Sequence, residues 1–332
     1  MDTIKFDKSV CNISFNKDKS LLGLCTSSLT NTNWNGSVEI FESKSLEEEK
    51  EPSSKQSIDF YSGVTCIEWI KPNKCVVSAD DSNIYLVDST KDNKNTEKEE
   101  NIYSENDDDI LFKNGHHNNI ISHLNHNENT QQLLSSGWDK IIKQYDLNTH
   151  STVTQFNIHY KKVNMSLWSK TSNDLFLSVS DNGIVVWDSR ININSNEQDI
   201  KSAFIKESNI AVLSCCWDIE NENIFYVGLK NGDIKQYDIR NSAIERKCKQ
   251  HELAINQLSF NPANNKQLLS ISDDTYIKSL DIKSFVDGET TTATIENNII
   301  YKSDDFIKTF DFDKSNNIYI GSINKTLKKI KF

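Results

Sequence analysis

Two markers that recur in register seven times predict an all-β chain folded as a seven-bladed β-propeller. The first is a short block: Asp or Asn, two residues, a β-branched residue or leucine, two residues, a large apolar residue, then usually Asp. It appears as NGSVEIFE, DSNIYLVD, DKIIKQYD, DNGIVVWD, NGDIKQYD, DTYIKSLD and NKTLKKIK, beginning at Asn35, Asp81, Asp139, Asp181, Asn231, Asp274 and Asn324. Successive starts lie 46, 58, 42, 50, 43 and 50 residues apart, close to the period of a four-stranded blade. The second marker is an aromatic or histidine residue that closes an upstream strand: Phe15, Trp69, His126, Trp168, Trp217, Phe260 and Phe312. From each of these to the large apolar residue of its block is 26, 18, 19, 19, 20, 20 and 18 residues. The sequence stops directly after the third strand of the last repeat. Thr3–Phe6 is therefore expected to supply the missing outer strand, closing the ring and removing exposed sheet edges.

Residues 1–332 read as one propeller, each blade built from strands a, b, c and d. In blade 4 these are expected at Val163–Trp168, Leu175–Val179, Ile184–Trp187 and Ala203–Ile205. The Asp or Asn opening each block suits a tight turn, because its side chain bonds nearby backbone N–H groups. Apolar residues at alternate strand positions pack against the neighbouring blades. His159, Ser178, Asp181 and Trp187 are expected to form a buried hydrogen-bonded chain in blade 4, the pattern known from WD repeats. His117, Ser135 and Asp139 fit the same chain in blade 3, and His251, Ser270 and Asp274 fit it in blade 6. Buried polar groups must be paired, so such chains specify one geometry.

Three segments depart from the repeat. Ser89–Asp109 is a polar, mostly acidic insertion between blades 2 and 3, expected to be a mobile surface loop because it lacks apolar surface to bury. A shorter acidic stretch, Ser45–Lys55, follows strand c of blade 1. The third is TSSLTNTNWNG, Thr26–Gly36, read as a loop that lengthens blade 1 between strands b and c and sets Trp34 among polar residues. A tryptophan displayed in this way is either an interface anchor or a ring folded onto blade 1 or its neighbour.

The bulk numbers exclude several function classes. The 332 residues are 36% hydrophobic and 26% charged, with a net charge of −11. That charge repels phosphate, so no direct nucleic-acid binding is expected, and it favours basic partners. No apolar run approaches the roughly 18 residues of a membrane helix, and MDTIKFDKSV has no secretory core, so no membrane contact is expected. Seven cysteines without a CxxC pair read as reduced thiols of the cytoplasm and nucleus, and Cys215 and Cys216 face opposite sides of one strand. The histidine group His116, His117, His123 and His126 resembles a metal site. It is better read as one structural histidine, one strand-end marker and two surface residues, His116 and His123. No HExxH, GxSxG or glycine-rich phosphate loop is present, so neither catalysis, metal nor cofactor is expected.

The blade 1 segment SLLGLCTSSLTNTNWNGSVEIF resembles the first blade of the WD-repeat subunit of the methylosome, the methylosome protein 50 family. That family has a similar Ser-Ser-Leu, a short spacer and Trp-x-Gly-Ser before an apolar strand. GVTCIEWI, LFLSVSDNGIVVWDSR, IFYVGLKNGDIKQYD and DFIKTFDF are similar to later parts of it. The resemblance implies a hetero-oligomeric, non-catalytic adaptor that binds a type II protein arginine methyltransferase. It would help present histones and the arginine-rich tails of Sm proteins for symmetric dimethylation. It also implies that Trp34 is the partner contact, with Ser27, Ser28, Leu29, Asn33 and Asn35 around it. The family's animal members carry a proline-rich N-terminal extension that is missing here. A different class of WD-repeat module stays open: WDSR (Trp187–Arg190) and the similar YDIR suit a substrate receptor of a cullin-type ubiquitin ligase or another assembly scaffold.

Overall fold

A computed structural model describes residues 3–30, 33–48, 52–90, 102–103, 117–190, 204–285 and 299–332. Its strands form seven sheets in sequence order around a ring, antiparallel apart from one short added strand in blade 1, the propeller expected from the repeat. Blade 4 is typical: Val163–Trp168, Leu175–Ser180, Gly183–Asp188 and Phe204–Glu207 pair in that order. All seven strand-end markers are buried, from 2% exposed at Phe312 to 9% at Trp69 and His126. The large apolar residue of every block is buried as well, so both markers follow from packing.

The core is divided among seven apolar clusters, each lying between two neighbouring blades. Every sheet presents both faces to neighbours, which is why b and c strands read as unbroken apolar runs. Cys215 joins the cluster towards blade 4 and Cys216 the cluster towards blade 6, so the adjacent thiols point apart. All seven cysteines are free.

The ring closes as expected. Thr3–Lys5 pairs antiparallel with Thr326–Ile330 as the outer strand of blade 7. Ile4 and Phe6 pack into the cluster between blades 7 and 1. Inner strands are linked by side chains that reach the next blade's backbone: Phe15 N–H donates to Asp311 at 2.7 Å, and His126 N–H to Glu68 at 2.9 Å. Burial pushes the Glu68 carboxyl up to about 7, against the backbone N–H of His126. A bulge recurs near the start of every inner strand, between Val10 and Asn12 in blade 1 and between Ile121 and His123 in blade 3. Such bulges increase local twist and re-aim the side chains beside them.

The structure adds detail to both acidic segments. Within Ser89–Asp109, residues 91–101 and 104–109 lie outside the described residues. Ile102–Tyr103, however, pairs in parallel with Asp59 and Phe60 at the outer edge of blade 1, so part of the insertion is strand. Ser43–Glu48, which overlaps the shorter acidic stretch, forms a helical turn that buries Leu46 in the cluster between blades 7 and 1.

Candidate partner-binding face

In each blade the d–a connections and b–c turns emerge on one face of the ring and the a–b and c–d connections on the other. Among the described residues ten large apolar side chains are exposed. Seven of them, Trp34, Tyr61, Trp138, Tyr160, Leu253, Phe306 and Ile323, sit in d–a or b–c segments. The exposed apolar side chains are therefore concentrated on one face.

Blade 1 reaches farthest on that face. The segment read as a loop is a β-hairpin: Leu21–Thr30 and Asn33–Glu42 stay paired from Leu21 opposite Glu42 to Thr30 opposite Asn33. In blade 3 the same pairing ends at Ser136 opposite Ile142. Thr26 and Ser37 lock the hairpin's base, their hydroxyl groups 2.8 Å apart. Trp34 lies opposite Leu29, and its ring is 47% exposed. Its indole nitrogen sits beside the Asp80 carboxylate of blade 2. Burial raises that carboxyl to about 6, against the lowering effect of the indole. The ring thus leans towards the neighbouring blade while half of it faces outward. Gly63 makes the arrangement possible, since a methyl group there would overlap the Trp34 nitrogen, an Asp80 oxygen and the Ser27 hydroxyl.

The other expected contacts divide. Ser27 shares the Trp34 side of the hairpin, beside Gly63. Ser28 pairs opposite Asn35, both half-buried, and by strand alternation they face the other side. Asn35 Oδ1 is buried without a hydrogen-bond partner. Leu29 and Asn33 hold their places in the register, and their side chains lie outside the described residues.

Trp138, in the b–c turn of blade 3, is 44% exposed and has the Lys162 ammonium 4.9 Å from its ring centre. Beneath it, His117 Nδ1 lies 2.9 Å from Asp139 and His117 Nε2 2.6 Å from Ser135. Blade 6 repeats this chain, with His251 2.9 Å from Asp274 and 2.7 Å from Ser270. Burial raises the Asp274 carboxyl, but His251 and two backbone N–H groups outweigh it and bring the pKa to about 2. Burial lowers His251 in turn, opposed by Asp274.

Blade 4 corrects the expectation. His159 and the Trp187 indole both meet Ser178 at 2.7 Å, yet Asp181 is not part of the chain. It accepts from Asn164 at 2.9 Å and lies 4.0 Å from Lys162. The turn of blade 4 is one residue shorter than those of blades 3 and 6. Asn182, four residues after Ser178, therefore takes the station that Asp139 and Asp274 hold four residues after Ser135 and Ser270. Without a carboxylate beside it, burial alone brings His159 down to about 4.

His123 is a second correction. It is not a surface residue: the bulge beside Ile121 turns it inward, its Nδ1 is buried without a partner, and burial lowers it to about 4. His116 lies outside the described residues. Among the described residues no three His, Cys, Asp or Glu side chains are grouped to hold a metal. Burial pushes the Cys216 thiol up to about 12 and Cys215 higher still, so neither is a nucleophile. On the opposite face, Arg190 folds onto Asp188 at 2.5 Å and Arg240 onto Asp238 at 2.6 Å.

Comparison with known proteins agrees with this architecture. Methylosome protein WDR77 of Xenopus laevis is 24% identical over 273 residues, 81% of this chain and 75% of that protein. Gem-associated protein 5 of Mus musculus is 26% identical over 42% of this chain, which spans 9% of that protein. WD-40 repeat-containing protein MSI3 of Arabidopsis thaliana is 28% identical over 35% of this chain and 27% of its own length. The family model described as Nucleolar protein 10-like, N-terminal domain, a β-propeller, matches residues 118–323. The chain therefore belongs to the WD-repeat propellers, in the Nucleolar protein 10-like N-terminal-domain family.

Proposed function

We propose that this propeller is a non-catalytic adaptor that docks on a type II protein arginine methyltransferase through the blade 1 hairpin. Trp34 is the anchor, and the adaptor helps present basic, arginine-rich substrates such as histones and Sm proteins in cytoplasm and nucleus. One observation carries the reading. The longest hairpin on the apolar-rich face holds a half-exposed tryptophan whose nitrogen sits beside the Asp80 carboxylate, so the ring is presented on a paired segment before any partner arrives. A preorganised aromatic loses little entropy on docking, which suits a binding hot spot. Similarity to Methylosome protein WDR77 over most of both chains supports the partner class. The net charge of −11 supports basic substrates.

The test is affinity purification of the full chain with identification of the main stoichiometric partner. A barrel-containing arginine methyltransferase is the expected result, and a cullin-ligase adaptor in its place would overturn the reading. A second reading, an assembly scaffold of the nucleolus, draws on the family match over residues 118–323. It would return pre-ribosomal particles in the same experiment.

A further inference from the structure

The charge of −11 is not spread evenly over the face that carries Trp34. Around blades 3 to 5 that face presents lysines: Lys140 in the b–c turn of blade 3, Lys161 and Lys162 in the connection into blade 4, and Lys230 in the b–c turn of blade 5. Among the described residues no ion pair holds Lys140, Lys161 or Lys230. Two planar rings stand among these cations, Trp138 at 44% exposure and Tyr160 at 78%. Asp139 is turned down into the buried chain with His117, and Asp181 is occupied by Asn164 and Lys162, so neither cancels the outward charge.

We propose that this lysine and aromatic sector binds single-stranded nucleic acid, with phosphates against Lys140, Lys161, Lys162 and Lys230 and bases stacked on Trp138 and Tyr160. The chemistry favours that ligand over an acidic protein segment. Planar rings and compact ammonium groups are the two chemistries that bases and phosphates call for along a strand. Lysine supplies point charges suited to a flexible backbone, whereas carboxylate recognition favours the arginine fork. Whole-chain charge sets long-range repulsion, but a local cationic strip governs contact at physiological salt, where screening acts within about 8 Å.

The experiment is fluorescence anisotropy of a labelled twelve-nucleotide oligouridylate titrated with the full-length protein at several salt concentrations. Saturable binding is expected with a Kd on the order of 1–100 µM at about 0.1 M salt. Trp138→Ala combined with Tyr160→Ala should weaken it by about 10-fold or more. Combined Lys140→Gln, Lys161→Gln and Lys230→Gln should weaken it and reduce the salt slope by about 2. Lys314→Gln, on the opposite face, serves as the control and should change nothing. Circular dichroism melting of each variant establishes that it is folded, which these exposed positions permit. No binding by folded parent protein overturns the proposal, as does binding that the variants leave intact. Equal binding of a labelled polyglutamate, with equal sensitivity to the variants, assigns the sector to an acidic protein instead.

Discussion

Trp34 and Trp138 occupy the same station of their repeats, the b–c segment on one face, and are almost equally exposed at 47% and 44%. Their surroundings are opposite in sign. Trp34 rises on a long hairpin with its nitrogen beside the Asp80 carboxylate of the next blade. Trp138 sits on a short turn and carries the Lys162 ammonium over its ring. The repeat therefore fixes where a side chain emerges, while hairpin length and the neighbouring connection decide what chemistry it presents. One ring of blades thereby presents two sectors of different chemistry.

The largest effect should separate the sectors through the ring closure. Blade 1 is held to blade 7 by the strand Thr3–Lys5 with Ile4 and Phe6, whereas blade 3 has no contact with that strand. Deleting residues 1–7 should cost roughly 3–6 kcal/mol, the burial of two large apolar side chains, and leave the edge of blade 7 unpaired. Limited proteolysis of the truncated protein should then cut blades 7 and 1 before blade 3. An unchanged melting temperature would break the picture of a ring locked at that point.

A smaller effect sharpens the contrast beneath the face. Asp139→Ala strands a buried histidine and should cost about 1–3 kcal/mol in chemical denaturation. Asp181→Ala, which removes a partly exposed carboxylate outside its blade's chain, should cost under about 1 kcal/mol. Equal losses would mean that Asp181 supports blade 4 by a route the hydrogen bonds do not reveal.

A third effect is electrostatic and specific to the Trp34 side. Burial raises Asp80 from 3.8 to about 6, so between those values the folded chain holds more protons than the unfolded one. Asp80 therefore favours folding most below about pH 4, and that contribution is lost as pH rises through 6. Asp80→Asn is neutral throughout and keeps the size of the side chain. Its stability relative to the parent should climb from pH 4 to pH 6 and level off above. A flat difference across that range would mean Asp80 is not desolvated under the ring.

The seven-fold order was legible because both markers are buried in every blade, and burial constrains residue type. What escaped was set by small changes in spacing or by three-dimensional neighbours. Asp181 looked equivalent to Asp139 and Asp274 because the turn motif matches, but a turn one residue shorter moves Asn182 into the structural station. Thr26–Gly36 read as a loop because serine, threonine and asparagine dominate it, although cross-strand pairing holds it as a hairpin. His123 read as exposed because a bulge cannot be seen in polar spacing. The gathering of exposed rings on one face, and the basic sector within a chain of charge −11, required the strand directions before they could be seen.

The claim that Trp34 is the partner anchor is tested most directly by titrating a type II arginine methyltransferase with the parent protein, Trp34→Ala and Trp138→Ala, with the melting temperature of each recorded alongside. An anchor filling a partner pocket contributes about 2–4 kcal/mol, so Trp34→Ala should bind roughly 30- to 1,000-fold more weakly. Its own fold should lose only about 1–2 kcal/mol, the share of a half-exposed ring. Trp138→Ala should bind the methyltransferase as the parent does. Undiminished affinity of folded Trp34→Ala, or an equal loss in Trp138→Ala, would contradict the account.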